Sequence, residues 1–308
     1  MNEKPKSAHA YSADITRDCE TVFVILLRAF AGFKRNLRLI GGLVPRYLTP
    51  ESPPDVPAHV GTTDVDVVLD VALLAERGAY DSLKRQLQAA GFQRYHPRQD
   101  VVSTWQWVYE LNGTPIRVEF LTHTDDPEQS ARLAPLDGEA VSACQILYAG
   151  LTHEWFEERV IQVDLPDHGG ITQETIRYAD AVAFIVLKAL AFDQRHEPKD
   201  AADLIHVMSY WRDTETLADH FSERLMDGRQ VKALRAALRA LSRRFCDDAD
   251  VEGYRKEGPA AFVNFHGFDR EHADTRTRAL RQVSGLVGHV LARISAKTGQ
   301  SYLHDAAT

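Results

Sequence analysis

The chain has 308 residues, 44% hydrophobic and 26% charged, with a formal net charge of -8. That length suggests about two domains with real cores, and the negative charge excludes a protein that binds polyanions over its whole surface, so any nucleic-acid contact must be local. Cys19, Cys144 and Cys246 are odd in number and widely spaced; they make no disulfide framework and suit a reducing, cytoplasmic setting.

Met1 to Asp18 is polar and lacks an apolar h-region, so no signal peptide is expected. Thr21 to Leu27 is apolar but too short to span a bilayer, and Arg28 follows it, so no membrane partner is expected. Residues 18–34 read as a helix, within an N-terminal segment over residues 1–35. Leu37 to Ile40 reads as a short apolar strand that ends in Gly41-Gly42. Glycines there let the backbone approach a ligand and offer N–H groups to phosphate; an ordinary turn is the plain alternative. A stretch rich in proline follows, with Pro45, Pro50, Pro53, Pro54 and Pro57.

Thr62-Thr63-Asp64-Val65-Asp66-Val67-Val68-Leu69 has strand composition. Residues i and i+2 of a strand share a face, so Asp64 and Asp66 project together while Val65 and Val67 point the other way. Two such carboxylates are tolerated when a cation lies between them or one takes a proton. Magnesium wants hard oxygen ligands and often brings phosphates with it. A solvated strand edge is the plain alternative.

Tyr80 to Ala90 reads as an amphipathic helix stopped by Gly91. Thr104 to Leu111 and Pro115 to Leu121 flank Asn112-Gly113, which predicts a hairpin. Glu119 then interrupts the apolar return strand between Val118 and Phe120. If buried it needs a partner: a shared metal, or a salt bridge to Arg117 on the same face. Residues 124–140 read as loop and Arg159 to Leu165 as a strand. Asp167-His168-Gly169-Gly170 lacks a P-loop lysine and reads as a turn.

From Thr172 onward the chain reads as helices. Ile176 to Asp193 carries Val182, Ile185, Ala189 and Phe192 at helical spacing. Pro198 fits a first turn, and Val231 to Phe245 and Thr275 to Lys297 follow. Lys188 on its apolar helix could reach a triphosphate or snorkel at a helix edge. Asp200 and Asp203 share a face; they could orient Lys188 or Arg195, or serve as acids at a helix start. Lys232, Arg235, Arg239 and Arg243 form a stripe that is either a solvated face or an RNA backbone contact. There is no His-Glu-x-x-His motif and no Cys/His pairing, so zinc is not expected. The fold class expected is α+β: a mixed-sheet domain over residues 36–170, then an all-helical domain over 171–308.

Gly41-Gly42, then Asp64-x-Asp66 on a following strand, then Glu119 on a later one, is similar to the DNA polymerase β-like nucleotidyltransferases. Lys188, Arg195 and Lys199-Asp200-x-x-Asp203-Leu204 narrow the likeness: residues 36–210 resemble the AbiEii-type nucleotidyltransferase toxins. The third acid is Glu119 where Asp is commoner, a mild change between hard oxygen ligands. The resemblance implies a nucleotidyltransferase-like sheet and two Mg2+ ions on Asp64, Asp66 and Glu119. It implies an NTP held by Gly41, Gly42, Thr63, Lys188 and Arg195, with Asp200 and Asp203 in support. The acceptor it implies is RNA, such as a tRNA end, with a separate antitoxin protein as partner. A small-molecule acceptor, as in antibiotic modification, and a nucleotide-binding regulator without turnover are the alternatives.

Overall fold

The computed structural model describes residues 5–70, 80–134, 141–268 and 273–303. They form two compact units. The first comprises Tyr11–Val44 and Val60–Asp180; the second comprises Pro5–Ala10, Pro45–His59 and the chain from Ala181 onward.

The first unit is built on a sheet. Helix α1 (Ala13–Ala29) starts at Ser12, whose side chain accepts from the Asp14 N–H, and it buries Val22, Phe23, Leu26 and Leu27. Strand β1 (Leu37–Ile40) follows, then β2 (Asp64–Leu69), α2 (Tyr80–Ala89), β3 (Gln93–Arg94), β4 (Gln106–Leu111) and β5 (Thr114–Thr124). Strands β6 (Cys144–Leu147), β7 (Phe156–Leu165) and β8 (Gly170–Ala179) complete it. The order is β3-β4-β5-β2-β1-β8-β7, with β6 on β5. β2 lies parallel to β5 and antiparallel to β1, and β1 lies parallel to β8. The sheet is therefore mixed, as expected. Val65, Val67, Val118 and Phe120 are fully buried, and Phe30, just past α1, stacks on Phe120 at 5.9 Å between ring centroids.

The Asn112-Gly113 hairpin forms as its residues require. Both have positive φ, 52° and 74°, which a two-residue turn between right-twisted strands favours. Expectation fails at Thr172. The segment Gly170–Ala179 is a strand paired along its length with β7, not the start of a helix. Its β-branched and aromatic residues, Thr172, Thr175, Ile176 and Tyr178, suit a strand. The helical spacing that begins at Val182 had been extended back through them. β6 has no counterpart among the expected elements: its four residues lie between the expected loop over 124–140 and the expected strand from Arg159. Of the expected loop over 124–140, residues 135–140 lie outside the described residues.

The second unit is helical: α3 (Ala181–Arg195), α4 (Pro198–Tyr210), α5 (Thr214–Asp227), α6 (Val231–Phe245), α7 (Glu257–Phe265) and α8 (Ala273–Thr298). Val182, Ile185, Ala189 and Phe192 are buried on α3, and Leu234, Leu238, Leu241 and Phe245 on α6. Pro198 occupies the first turn of α4. Pro45–His59 joins this unit: the Thr49 hydroxyl lies 3.0 Å from His206 Nε2, and His59 Nε2 lies 2.8 Å from an Asp203 oxygen. Among the described residues, no helix is long and apolar enough to cross a membrane.

Candidate active site

The register of β2 on β5 decides the site. Asp64 stands beside Arg117, and Asp66 beside Glu119. Neighbours in register share a face, so the alternation that buries Val65, Val67, Val118 and Phe120 on one side puts all four charged groups on the other. Carboxylate oxygens of Asp64, Asp66 and Glu119 lie within 4.8 Å of one another. Asp64 is buried, while Asp66 and Glu119 are half-buried. This is a set of hard oxygen donors from three side chains. It fits Mg2+ or Mn2+ far better than a softer metal.

Neighbours fix Asp64 and Glu119. Thr62 Oγ1 donates to Asp64 Oδ1 at 3.0 Å, and the Thr62 N–H donates to Thr16 Oγ1 on α1 at 3.0 Å. Gln106 on β4 pairs in register with Glu119 and donates to its Oε1 at 3.0 Å. Arg117 reaches two acids: Nη2 lies 3.5 Å from Asp64 Oδ2, and Nε lies 2.9 Å from Glu119 Oε1. That Nε is buried and not aligned for a hydrogen bond, so its contact with Glu119 is ionic. Burial works against the Arg117 charge, but Glu119 and Asp64 outweigh it and raise its pKa. Burial, then Glu119, pushes the Cys144 thiol up to about 11; burial, then Asp64, does the same to Cys19 more strongly. Neither cysteine belongs to the cluster of oxygen donors.

Gly41 follows Ile40, which pairs with Asp66. It has φ +75°, and a Cβ there would stand 2.0 Å from Asp66 Oδ2. The Gly41 backbone thus lies against Asp66, and only glycine leaves room there. Gly42 is buried in the short turn that follows. Thr63, expected at the nucleotide, is half-buried beside Asp64, whose Oδ1 accepts from the neighbouring Thr62 hydroxyl. Sequence reading missed Thr62, Gln106 and the double role of Arg117. The i,i+2 spacing of Thr62 from Asp64 was a signal that could have found the first; the salt bridge of Arg117 to Glu119 was an expected alternative and is present, and its reach to Asp64 follows only from the strand register.

Lys188, Arg195, Asp200 and Asp203 lie in the helical unit, where Lys188 and the two aspartates form a buried ion network that Arg195 joins from the surface. Lys188 Nζ is 2.8 Å from both Asp200 Oδ1 and Asp203 Oδ2. Arg195 makes a two-pronged contact with Asp200, at 2.6 and 2.9 Å. Lys199 and His59 both bond Asp203 Oδ1. Burial would suppress the Lys188 charge, but Asp200 and Asp203 more than reverse this and raise its pKa. Both aspartates are pulled below the usual carboxylate range, chiefly by Lys188, against the effect of burial. Burial holds His59 down to about 4 and His206 to about 3. On α6, Lys232, Arg235, Arg239 and Arg243 are all exposed, but Arg243 is committed to Asp193 through contacts at 2.6 and 3.3 Å.

No protein-family model matches the chain, and no curated protein does. Among solved structures it is similar to an antigenic nucleotidyltransferase-like protein from Paracoccidioides brasiliensis, with a TM-score of 0.35 and 14% identity. That match covers 87% of this chain and 94% of the other. At that distance the likeness does not speak to activity.

Gly41→Ala should destabilise the protein. A positive φ on an L-residue costs about 1–2 kcal/mol, and the Asp66 carboxylate must also move aside. Combining it with Asp66→Ala should relieve the second part, so the two changes should couple in a double-mutant cycle. Additive losses of stability in denaturant melts would deny the contact.

His59 and His206 set a pH dependence. Their folded pKa values lie below the ordinary 6.5, so below that pH the unfolded chain binds protons that the folded chain refuses. Their contribution is complete above about pH 6.5 and is lost as pH falls toward 4, by on the order of 1 kcal/mol per pH unit for each group. The melting midpoint should fall between pH 7 and pH 5, and His206→Gln should flatten the slope. An equal slope in wild type and variant would contradict the assignment of His206.

Proposed function

We propose that the chain is a nucleotidyltransferase that moves a nucleoside monophosphate from an NTP to an acceptor hydroxyl. The acceptor hydroxyl gives its proton to solvent, its oxygen bonds to the α-phosphorus, the bond to the β-phosphate bridging oxygen breaks, and pyrophosphate leaves. The observation that carries this reading is the acidic trio, set on adjacent parallel strands with the Gly41 backbone against Asp66. Asp64 and Asp66 would hold two Mg2+ ions and Glu119 would complete the site of one; bound there, the ions would supply activation of the acceptor hydroxyl and charge stabilisation on the phosphates.

The protein's own contribution is a preset arrangement of oxygens. Thr62 orients Asp64 and Gln106 orients Glu119, which fixes ligand positions before any substrate arrives. The missing side chains of Gly41 and Gly42 leave backbone N–H groups for phosphate.

RNA, such as a tRNA end, is the acceptor we propose. The support is the exposed stripe of Lys232, Arg235 and Arg239 on α6 of an otherwise acidic protein. A toxin role with a separate antitoxin partner is the biological setting that the order of motifs supports.

Labelled NTPs with total RNA test the chemistry. Asp66→Ala should abolish transfer while the melting midpoint stays or rises, because one of the crowded carboxylates is gone. Glu119→Gln should keep NTP binding and lose most transfer. Wild-type turnover in either variant would remove that residue from the site.

The acceptor has its own test. Reversing Lys232, Arg235 and Arg239 to Glu should slow transfer to RNA and flatten its salt dependence. Transfer curves that coincide with wild type across salt would deny the stripe a role. Label on a small molecule in place of RNA would redirect the acceptor reading.

A further inference from the structure

We infer that Arg117 is a built-in counter-ion: its guanidinium holds the acidic trio together without metal and must be displaced when a divalent cation enters. The inference rests on the metal reading of the trio. Three carboxylates whose oxygens lie within 4.8 Å repel one another strongly. The strand register that gathers them also delivers Arg117 beside Asp64, on the same face. Its guanidinium contacts Asp64 at 3.5 Å and Glu119 at 2.9 Å, reaching acids on both strands. It therefore uses carboxylate oxygens that a cation would need.

The way it is held suits exchange. Arg117 Nε is buried but has no aligned hydrogen-bond partner, so its closest contact, to Glu119, is charge attraction without a directed bond. Glu119 Oε1 already accepts from Gln106, and direct ligation by a divalent ion would outcompete the guanidinium there. The Tyr95 ring, 5.5 Å from the guanidinium carbon, offers a surface on which the cation rests after it leaves the carboxylates. Gln106 and Thr62 keep Glu119 and Asp64 oriented during the exchange, since neither bond involves Arg117.

The test is titration of the purified full chain with Mn2+ alone, without nucleotide, following free Mn2+ by electron paramagnetic resonance. Arg117→Met keeps the length and removes the charge. It should bind Mn2+ about tenfold tighter than wild type. In EDTA its melting midpoint should lie below wild type, and excess Mn2+ should close the gap. A purely structural arginine would lower the midpoint equally with and without Mn2+, and that result would overturn the inference. So would unchanged or weaker Mn2+ affinity in the variant while Asp66→Asn abolishes binding, an outcome that leaves the metal reading standing. Absence of Mn2+ binding in both wild type and Arg117→Met would sink the metal reading and this inference together. Should the Met variant not fold, Arg117→Gln is held to the same criteria.

Discussion

Crowding of like charge on two adjacent strands is the constraint around which the sheet unit is arranged. Asp64, Asp66 and Glu119 come within 4.8 Å because β2 and β5 are parallel and in register. Each carboxylate would resist this alone. The surrounding groups make it tolerable: a hydroxyl from Thr62, an amide from Gln106 and a guanidinium from Arg117. Among these four charged groups, three negative charges face one positive charge. The excess is negative, which is what a cation site requires and what a purely structural salt bridge would not leave.

The apolar face explains why the arrangement does not collapse. Val65, Val67, Val118 and Phe120 are fully buried, and Phe30 stacks on the last of them. A one-residue slip of β2 against β5 would carry apolar side chains to the acid face and carboxylates into the core. Core packing therefore fixes the register, and the register fixes the site. Gly41 adds a steric requirement, because only a residue without Cβ can lie against Asp66.

The helical unit handles charge differently. Lys188 and Lys199 meet the buried Asp200 and Asp203, Arg195 reaches Asp200 from the surface, and His59 joins while neutral. These carboxylates are taken up by cations, so here the network links elements: α3, α4 and the proline-rich segment through His59. Breaking such a buried cluster on one side is costly because the remaining charge is stranded. The pull of the cations on Asp200 and Asp203 and the depressed pKa values of His59 and His206 come from the same dry environment.

Local chemistry was legible in the sequence where one short rule was enough. Asn112-Gly113 specifies a tight turn through positive φ, and Asp64-Val65-Asp66 specifies a shared face through the period of a strand. The helix from Ala181 was legible through its apolar spacing. The same spacing misled at Thr172 to Ala179, because a partner strand decides between helix and sheet for a short β-branched run, and that partner is β7. Nothing local says that Pro45–His59 belongs with the helices; Thr49 and His59 find their partners 157 and 144 residues away. The sequence by itself determined which residue types could make an acidic, glycine-flanked site and which face each would take. Only the tertiary structure decided that Glu119 meets Asp66, that Arg117 sits among the acids and that Thr62 holds Asp64. The reason is that strand register and loop closure are set by the packing of the whole core, which no local pattern encodes.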